Sequence, residues 1–393
     1  MRTLLLITGL LLLIAAEILR VYFIMPFPGS QWNETINIAY WLNNNIVWLR
    51  LLGLLMIAWP VVYVFKQART WKKILLCVGL FLYALIFYAF NFRFLADKMF
   101  YQPQQKRFAD AAGNRIAPEK LVIGVVINNA AKAYPIQLIG YHHQVRDTIG
   151  NTPVMVTYCT VCRTGRVFSP FVNGKMENFR LVGMDHFNAM FEDATTKSWW
   201  QQATGVAIAG PLKGTALPEI TSKQLTLAAW LRQYPQSLVF QPDSAFTAEY
   251  DHLALFDKGT IRSGLEKRDS ASWKFKSWVI GVTHDQTAKA YDWNNLLDKG
   301  IIQDSIPGLP LVILLEKDST SFHVWNRQLD TNYLRFVKEG DAFKDINTQS
   351  LWDMNGLCTD GPLKGRQLKP IQAYQEFWHS WERFHPHTLS YKL

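Results

Sequence analysis

Cys159 and Cys162 stand in the run Tyr158-Cys159-Thr160-Val161-Cys162-Arg163-Thr164-Gly165. Sulfurs at that spacing can cycle between dithiol and disulfide, grip one metal ion, or form a plain structural disulfide in an oxidising compartment. In a redox pair one thiol is a nucleophile of lowered pKa and the other resolves the mixed disulfide. Arg163 or His143 would then supply the positive charge that favours thiolate. In a metal site the two thiolates are joined by His143 and by Asp147 or His186, a sulfur and nitrogen set suited to zinc or copper. The catalytic candidates are therefore Cys159, Cys162 and His143, and the metal-ligand candidates are those three with Asp147 and His186. In a thioredoxin-like arrangement the motif opens a helix, whose N-terminus lowers the pKa of the first thiol. Here Gly165 and Arg166-Val167-Phe168 predict a turn into another strand instead, a knuckle with Gly165 as the turning residue.

The elements that must position this pair occur twice. Val122-Ile123-Gly124-Val125 recurs as Val279-Ile280-Gly281-Val282, and Ala131-Lys132-Ala133-Tyr134 as Ala288-Lys289-Ala290-Tyr291, both 157 residues later (279 − 122). Asp147 and Pro153 match Asp304 and Pro310 at the same shift. Gly210-Pro211-Leu212-Lys213-Gly214 recurs as Gly361-Pro362-Leu363-Lys364-Gly365, now 151 residues later (361 − 210), and Trp230 matches Trp381. The thiols do not recur: Glu316 stands opposite Cys159, Ser319 opposite Cys162 and Gly300 opposite His143, while Cys358 faces Ala207. A pair needed only to hold the fold would be expected in both copies, so its restriction to one favours a site. Short β-branched or aromatic runs such as 121–127 and 153–158 predict strands, and 225–233 and 371–383 predict short helices. The run Gly183 to Asp193, with Met184, His186 and Met190, reads first as buried packing. His379, His385 and His387 read as a solvated surface cluster.

The first hundred residues hold three apolar stretches, Leu4 to Phe23, Val47 to Phe65 and Ile74 to Phe92, each able to span a bilayer. No small-residue cleavage site follows the first, which predicts a retained helix. Lys66, Arg69, Lys72 and Lys73 lie between the second and third, whereas Gln31 to Asn45 has no Lys or Arg. The positive-inside rule then puts the basic turn in the cytoplasm and everything beyond about Phe100 outside, in a periplasm if there are two membranes. Arg50, near the outer end of the second span, is expected to snorkel.

The expected architecture is thus N-terminal transmembrane helices followed by a strand-rich α+β region built from two homologous repeats. Its divisions are a membrane domain over 1–100 with three transmembrane helices, a first repeat with the Cys pair over 101–240, a connection over 241–276, and a second repeat over 277–393. The expected location is the inner (cytoplasmic) membrane, multi-pass. The 41 Lys and Arg are scattered among 31 Asp and Glu, so the net charge of +10 carries no nucleic-acid signature. No phosphate loop, His-Glu-x-x-His or Gly-x-Ser-x-Gly occurs. The membrane is the one partner the sequence identifies. A protein partner or redox donor, a substrate and a metal are left open.

Val122 to Tyr134, His143 with Asp147, Val156 to Cys162 with Gly165, Met190 to Gln201 with Trp199, and Gly210-Pro211-Leu212 together resemble the bacterial DUF3179 family, a domain of unknown function. The resemblance covers nearly all of the chain after about Gln105. Some relatives are counted among selenoproteins, and selenium at the Cys-x-x-Cys would imply redox use of that sulfur. This chain departs from the commoner form in Thr160-Val161 between the cysteines and in Asp185-His186-Phe187.

Overall fold

The computed structural model describes residues 1–340 and 342–391. They form two compact units. One comprises Met1–Tyr101, Lys175–Gln201 and Val206–Ala216; the other comprises Gln102–Gly174, Gln202–Gly205 and Leu217–Leu393.

In the first unit the helices Arg2–Tyr22, Ile36–Gln67 and Thr70–Phe92 are each long and apolar enough to cross a membrane, and they suggest insertion in one. The second begins well before its apolar stretch, so most of the Gln31 to Asn45 segment is helical. Glycines set the closest helix approach: a Cβ on Gly9 would lie 2.6 Å from Ile57 Cγ2, and one on Gly53 would lie 2.6 Å from Leu13 Cγ. Arg50 does not snorkel. Its guanidinium donates to the wholly buried Glu17 carboxylate at 2.6 and 2.8 Å, and Asn91 joins both side chains at 2.9 and 2.7 Å. A carboxylate inside a helix bundle needs a countercharge, and Arg50 supplies it. The same unit holds a four-stranded antiparallel sheet in the order Ala207–Ala209, Trp199–Gln201, Asn188–Asp193, Phe179–Asp185. That sheet meets the helical part at Ile24, whose carbonyl accepts the Met184 N–H at 2.8 Å. Any side chain on Gly183 would close that approach, since a Cβ there would sit 2.2 Å from the Ile24 oxygen.

The second unit runs through two series of elements in the same order. The hairpin Leu121–Ile127 with Ala130–Pro135 leads through the helix Ile136–His142 into Gln144–Ile149, Thr152–Cys159 and Thr164–Phe168. The later series is the hairpin Trp278–His284 with Thr287–Asp292, the helix Trp293–Lys299, and the strands Ile301–Ile306, Leu309–Leu315 and Phe322–Asn326. Pairing is equivalent, with Val122 opposite Pro135 and Val279 opposite Asp292. Gly124 and Gly281 are each covered by a tryptophan, Trp230 and Trp381, at distances only a missing Cβ permits. The stretches 225–233 and 371–383, expected to be helical throughout, each divide into a strand and a helix: Lys223–Thr226 then Leu227–Gln233, and Ala373–Phe377 then Trp378–Phe384. Their leading residues are needed as sheet edges against Leu121–Ile127 and Trp278–His284.

Candidate functional site

Cys159 is the last residue of the strand Thr152–Cys159, and Cys162 lies in the four-residue loop before Thr164–Phe168. Cys159 pairs with Thr164 across the hairpin, so the motif is a strand-to-strand turn and not the start of a helix. Arg163, not Gly165, takes the left-handed backbone at φ +55°, and its N–H returns to the Thr160 carbonyl at 3.2 Å. Gly165 is already in the strand, where a Cβ would lie 2.8 Å from Ile123 Cδ1. Packing, rather than turning, is the reason for that glycine.

Both cysteines are wholly buried thiols with no disulfide between them, and they are hydrogen-bonded to each other. Burial pushes the Cys162 thiol well up, aided by Cys159, while Lys276 and a hydrogen bond with Ser380 pull it back. The buried Lys276 ammonium donates to the Val161 carbonyl at 2.6 Å and reaches His379 Nε2 at 3.1 Å. Burial lowers its pKa to about 8, against the opposing pull of Cys162, Cys159 and Glu266. His379 stacks on Phe275 at 4.2 Å and is held neutral, its pKa lowered by burial and then by Lys276 to about 3. Thr160 donates to Glu266 at 2.6 Å, and the Phe377 N–H to the Cys162 carbonyl at 3.0 Å. Arg163 donates to Gln375 at 2.9 Å.

The turn is therefore walled by Lys276 and by the strand and helix from Ala373 to Phe384. His379, read as part of a surface cluster, is buried in that wall. Sequence comparison of the two halves could not find it, because it asked which residues sit beside the cysteines within one half. The reciprocal packing also holds: Thr226 bonds Ser321 and Asp318 at 2.9 Å each, and Arg232 pairs with Glu316, at the loop of the later series.

His143 caps the helix Ile136–His142 at φ +60°, where Gly300 caps Trp293–Lys299 at φ +68°. Its Nδ1 bonds the Gly140 carbonyl at 2.8 Å, and burial holds the ring neutral with a pKa of about 4. Its carbonyl accepts the Tyr158 N–H at 3.0 Å, which ties the cap to the cysteine strand. The ladder pairs Val145 with Val156. The Asp147 carboxylate is taken by Lys132 at 2.8 Å and Tyr134 at 2.6 Å, as Asp304 is by Lys289 and Tyr291. His186 belongs to the other unit, where Nδ1 meets Asp185 at 2.7 Å. Among the described residues no group of three His, Cys, Asp or Glu is gathered to hold a metal ion.

A sheet-rich α+β unit with a buried cysteine hairpin, carried on a chain with three membrane-length helices, defines the class. The family profile described as "Protein of unknown function (DUF3179)" matches residues 101–388, and the chain belongs to that family. No curated protein and no solved structure matches it.

Proposed function

We propose that this is a membrane-anchored thiol/disulfide redox protein, multi-pass in the cytoplasmic membrane, whose Cys159 and Cys162 work outside the cytoplasm. The observation that carries the reading is two thiols in mutual hydrogen-bond contact on a tight loop beside a buried ammonium. Oxidation would join the sulfurs and release two electrons and two protons, the electrons passing to a partner disulfide that becomes a dithiol. The Lys276 charge favours the thiolate that must form first, and burial keeps the reduced pair protonated until a partner opens it. His143 enters as a positioning residue, fixing the cysteine strand through its carbonyl. The outward orientation is supported by the basic turn around Lys66 to Lys73 between the second and third helices.

We read residues 119–240 and 277–391 as copies of one ancestral unit, supported by the shared element order, the paired glycine and tryptophan contacts and the repeated Lys-Tyr-Asp clusters. A single site in one copy then follows from loss or gain of the thiols after duplication. A second reading, zinc or copper held by the two thiolates, rests on the thiol pair alone, since no third His, Cys, Asp or Glu is gathered with it among the described residues.

Thiol counting and metal analysis on the purified full chain separate the two. The redox reading expects no stoichiometric metal and a pair that cycles between two and zero alkylatable thiols in a glutathione titration, with Cys159→Ser and Cys162→Ser each abolishing the cycle. One zinc or copper per chain, with thiols released only by a chelator, would replace it with the metal reading.

A further inference from the structure

Besides Lys276 and His379, the wall holds a second polar line that ends on Cys162. The Cys162 thiol is hydrogen-bonded to Ser380. Ser380 Oγ donates in turn to Glu376 Oε2 at 3.1 Å. Thr164 Oγ1 lies 3.3 Å from Ser380 Oγ and donates to the Cys162 carbonyl at 3.3 Å, which holds the serine against the cysteine loop. Ser380 is wholly buried, and Glu376 is only 1% exposed. Arg166 Nη2 donates to the other carboxylate oxygen, Oε1, at 2.5 Å. The carboxylate thus faces a cation on one side and, through one hydroxyl, a thiol on the other.

The fold does not require these groups. In the earlier series Leu225 pairs with Val122, as Glu376 pairs with Val279 in the later one. The third residue of the helix that follows is Ala229 in Leu227–Gln233 and Ser380 in Trp378–Phe384. Leucine and alanine therefore serve where the facing loop has Glu316 and Ser319, and glutamate and serine stand where it has thiols. A buried carboxylate is costly to desolvate, which favours a task for it beyond packing. Exchange requires each sulfur to become a thiolate in its turn. Burial, then Cys159, pushes the Cys162 thiol well up, so Cys162 needs a base. Lys276 is already protonated below pH 8, and His379, held at about 3, is a weak base.

We propose that Ser380 relays the Cys162 proton to Glu376 when Cys162 resolves a mixed disulfide, an inference that rests on the redox function proposed above. Cys159, its own proton lost to water, attacks the partner disulfide, forms the mixed disulfide and releases one partner thiolate. Cys162 then gives its S–H proton to Ser380 Oγ while the Ser380 O–H proton passes to Glu376 Oε2. The Cys162 sulfur attacks that of Cys159, their bond forms, the mixed bond breaks, and the second partner sulfur leaves with its electron pair. The two electrons of the dithiol end on the partner's sulfurs. Glu376 yields its proton to the departing thiolate or to water and is again a carboxylate beside Arg166. Arg166, Glu219, Tyr374, Tyr158 and His385 are the charged or titratable groups around Glu376, and Cys159 and Lys276 those around Cys162. All are shared by the native chain and the variants below, so their titration cancels in a ratio of the two.

Reaction of the reduced full chain in detergent micelles with oxidised glutathione, quenched in acid at intervals and read by intact mass from pH 6 to pH 9, tests the relay. The native chain should pass to the internal disulfide with little glutathione adduct. Glu376→Gln keeps a hydrogen-bonding side chain and takes no proton, and should lengthen the life of the adduct about 100-fold at pH 7, the lower range for a lost general base. That factor should shrink toward pH 9, where hydroxide takes the proton instead. Ser380→Ala breaks the relay without stranding Arg166 and should act alike, which carries the test should Glu376→Gln fail to fold. Adduct lifetimes unchanged in the folded variants, or lengthened by one factor at every pH, would overturn the relay and leave the redox reading standing. A native chain that forms no internal disulfide would overturn the redox reading and the relay with it.

Discussion

Replacing Lys276 by methionine should change how stability depends on pH, by an amount the structure sets. The amine sits at about 8 in the folded protein against an ordinary 10.5, because burial outweighs the pull of Cys162 and Cys159. Below pH 8 both folded and unfolded chains carry the charge, and folding bears the full cost of burying it. Between about 8 and 10.5 the folded amine is neutral while the unfolded one still holds its proton, so the unfolded state binds more protons and stability rises with pH. At 1.36 kcal/mol per pH unit that interval amounts to about 3 kcal/mol. The methionine side chain has no proton to lose, so in the Lys276→Met variant the loss of the bonds to Val161 and His379 shifts stability by a constant instead. Lys223, also held at about 8 by burial, contributes equally to both proteins and cancels. The comparison belongs in a Cys159→Ser, Cys162→Ser background, where thiol ionisation does not intrude and the loss of the thiols' upward pull leaves the folded amine lower still, so that the rise begins below pH 8. Near-ultraviolet circular dichroism of the full chain in micelles, melted at intervals from pH 7 to pH 10, should show Tm for the lysine protein gaining on the Lys276→Met protein by several degrees, at about 2–4 °C per kcal/mol. Parallel profiles across that range would refute the placement of a charged lysine in the cysteine wall.

Gly124→Ala and Gly281→Ala should each lower stability by about 1–3 kcal/mol, because the added Cβ meets Trp230 or Trp381 at 2.2 and 2.1 Å; chemical denaturation reads the loss, and unchanged midpoints would deny that contact. Glu17→Ala strands the Arg50 guanidinium among the helices and should cost about 3–5 kcal/mol, while Glu17→Gln with Arg50→Met should recover most of it; detergent melts decide, and a double variant no better than the single would show the pair does not hold the bundle. A periplasmic reporter fused after Leu393 should be active and one fused within 66–73 silent; the reverse pattern would invert the orientation and remove the oxidising compartment from the redox argument.

How much of this could be read from residues alone depends on range. Short β-branched and aromatic runs predicted 121–127 and 153–158 as strands because that signal is local. A run of aromatic and polar residues such as Ala373 to Phe377 has no local reason to be a strand; its pairing with Trp278–His284 decides. The glycine at 165 and the Cys162 spacing identified the knuckle, but the left-handed residue proved to be Arg163, held by Gln375 from the far end of the chain. Lys276 and His379 were illegible for the same reason. Comparing the halves position by position shows what one half has and the other lacks, not what each lends its neighbour. Likewise Arg50 carries no sequence sign of Glu17, 33 residues earlier on another helix.

The wall around the cysteines is built late. Ser380 follows Cys162 by 218 residues (380 − 162), and at about 5–20 residues/s a ribosome needs roughly 10–40 s to make that stretch. Lys276 follows Cys162 by 114 residues (276 − 162) and His379 by 217 (379 − 162), so the two sulfurs are made before their lysine and their imidazole and lack the wall until both have folded onto the loop. Until then the pair has only the reactivity of thiols in an open chain, and its buried surroundings are a property of the finished fold alone.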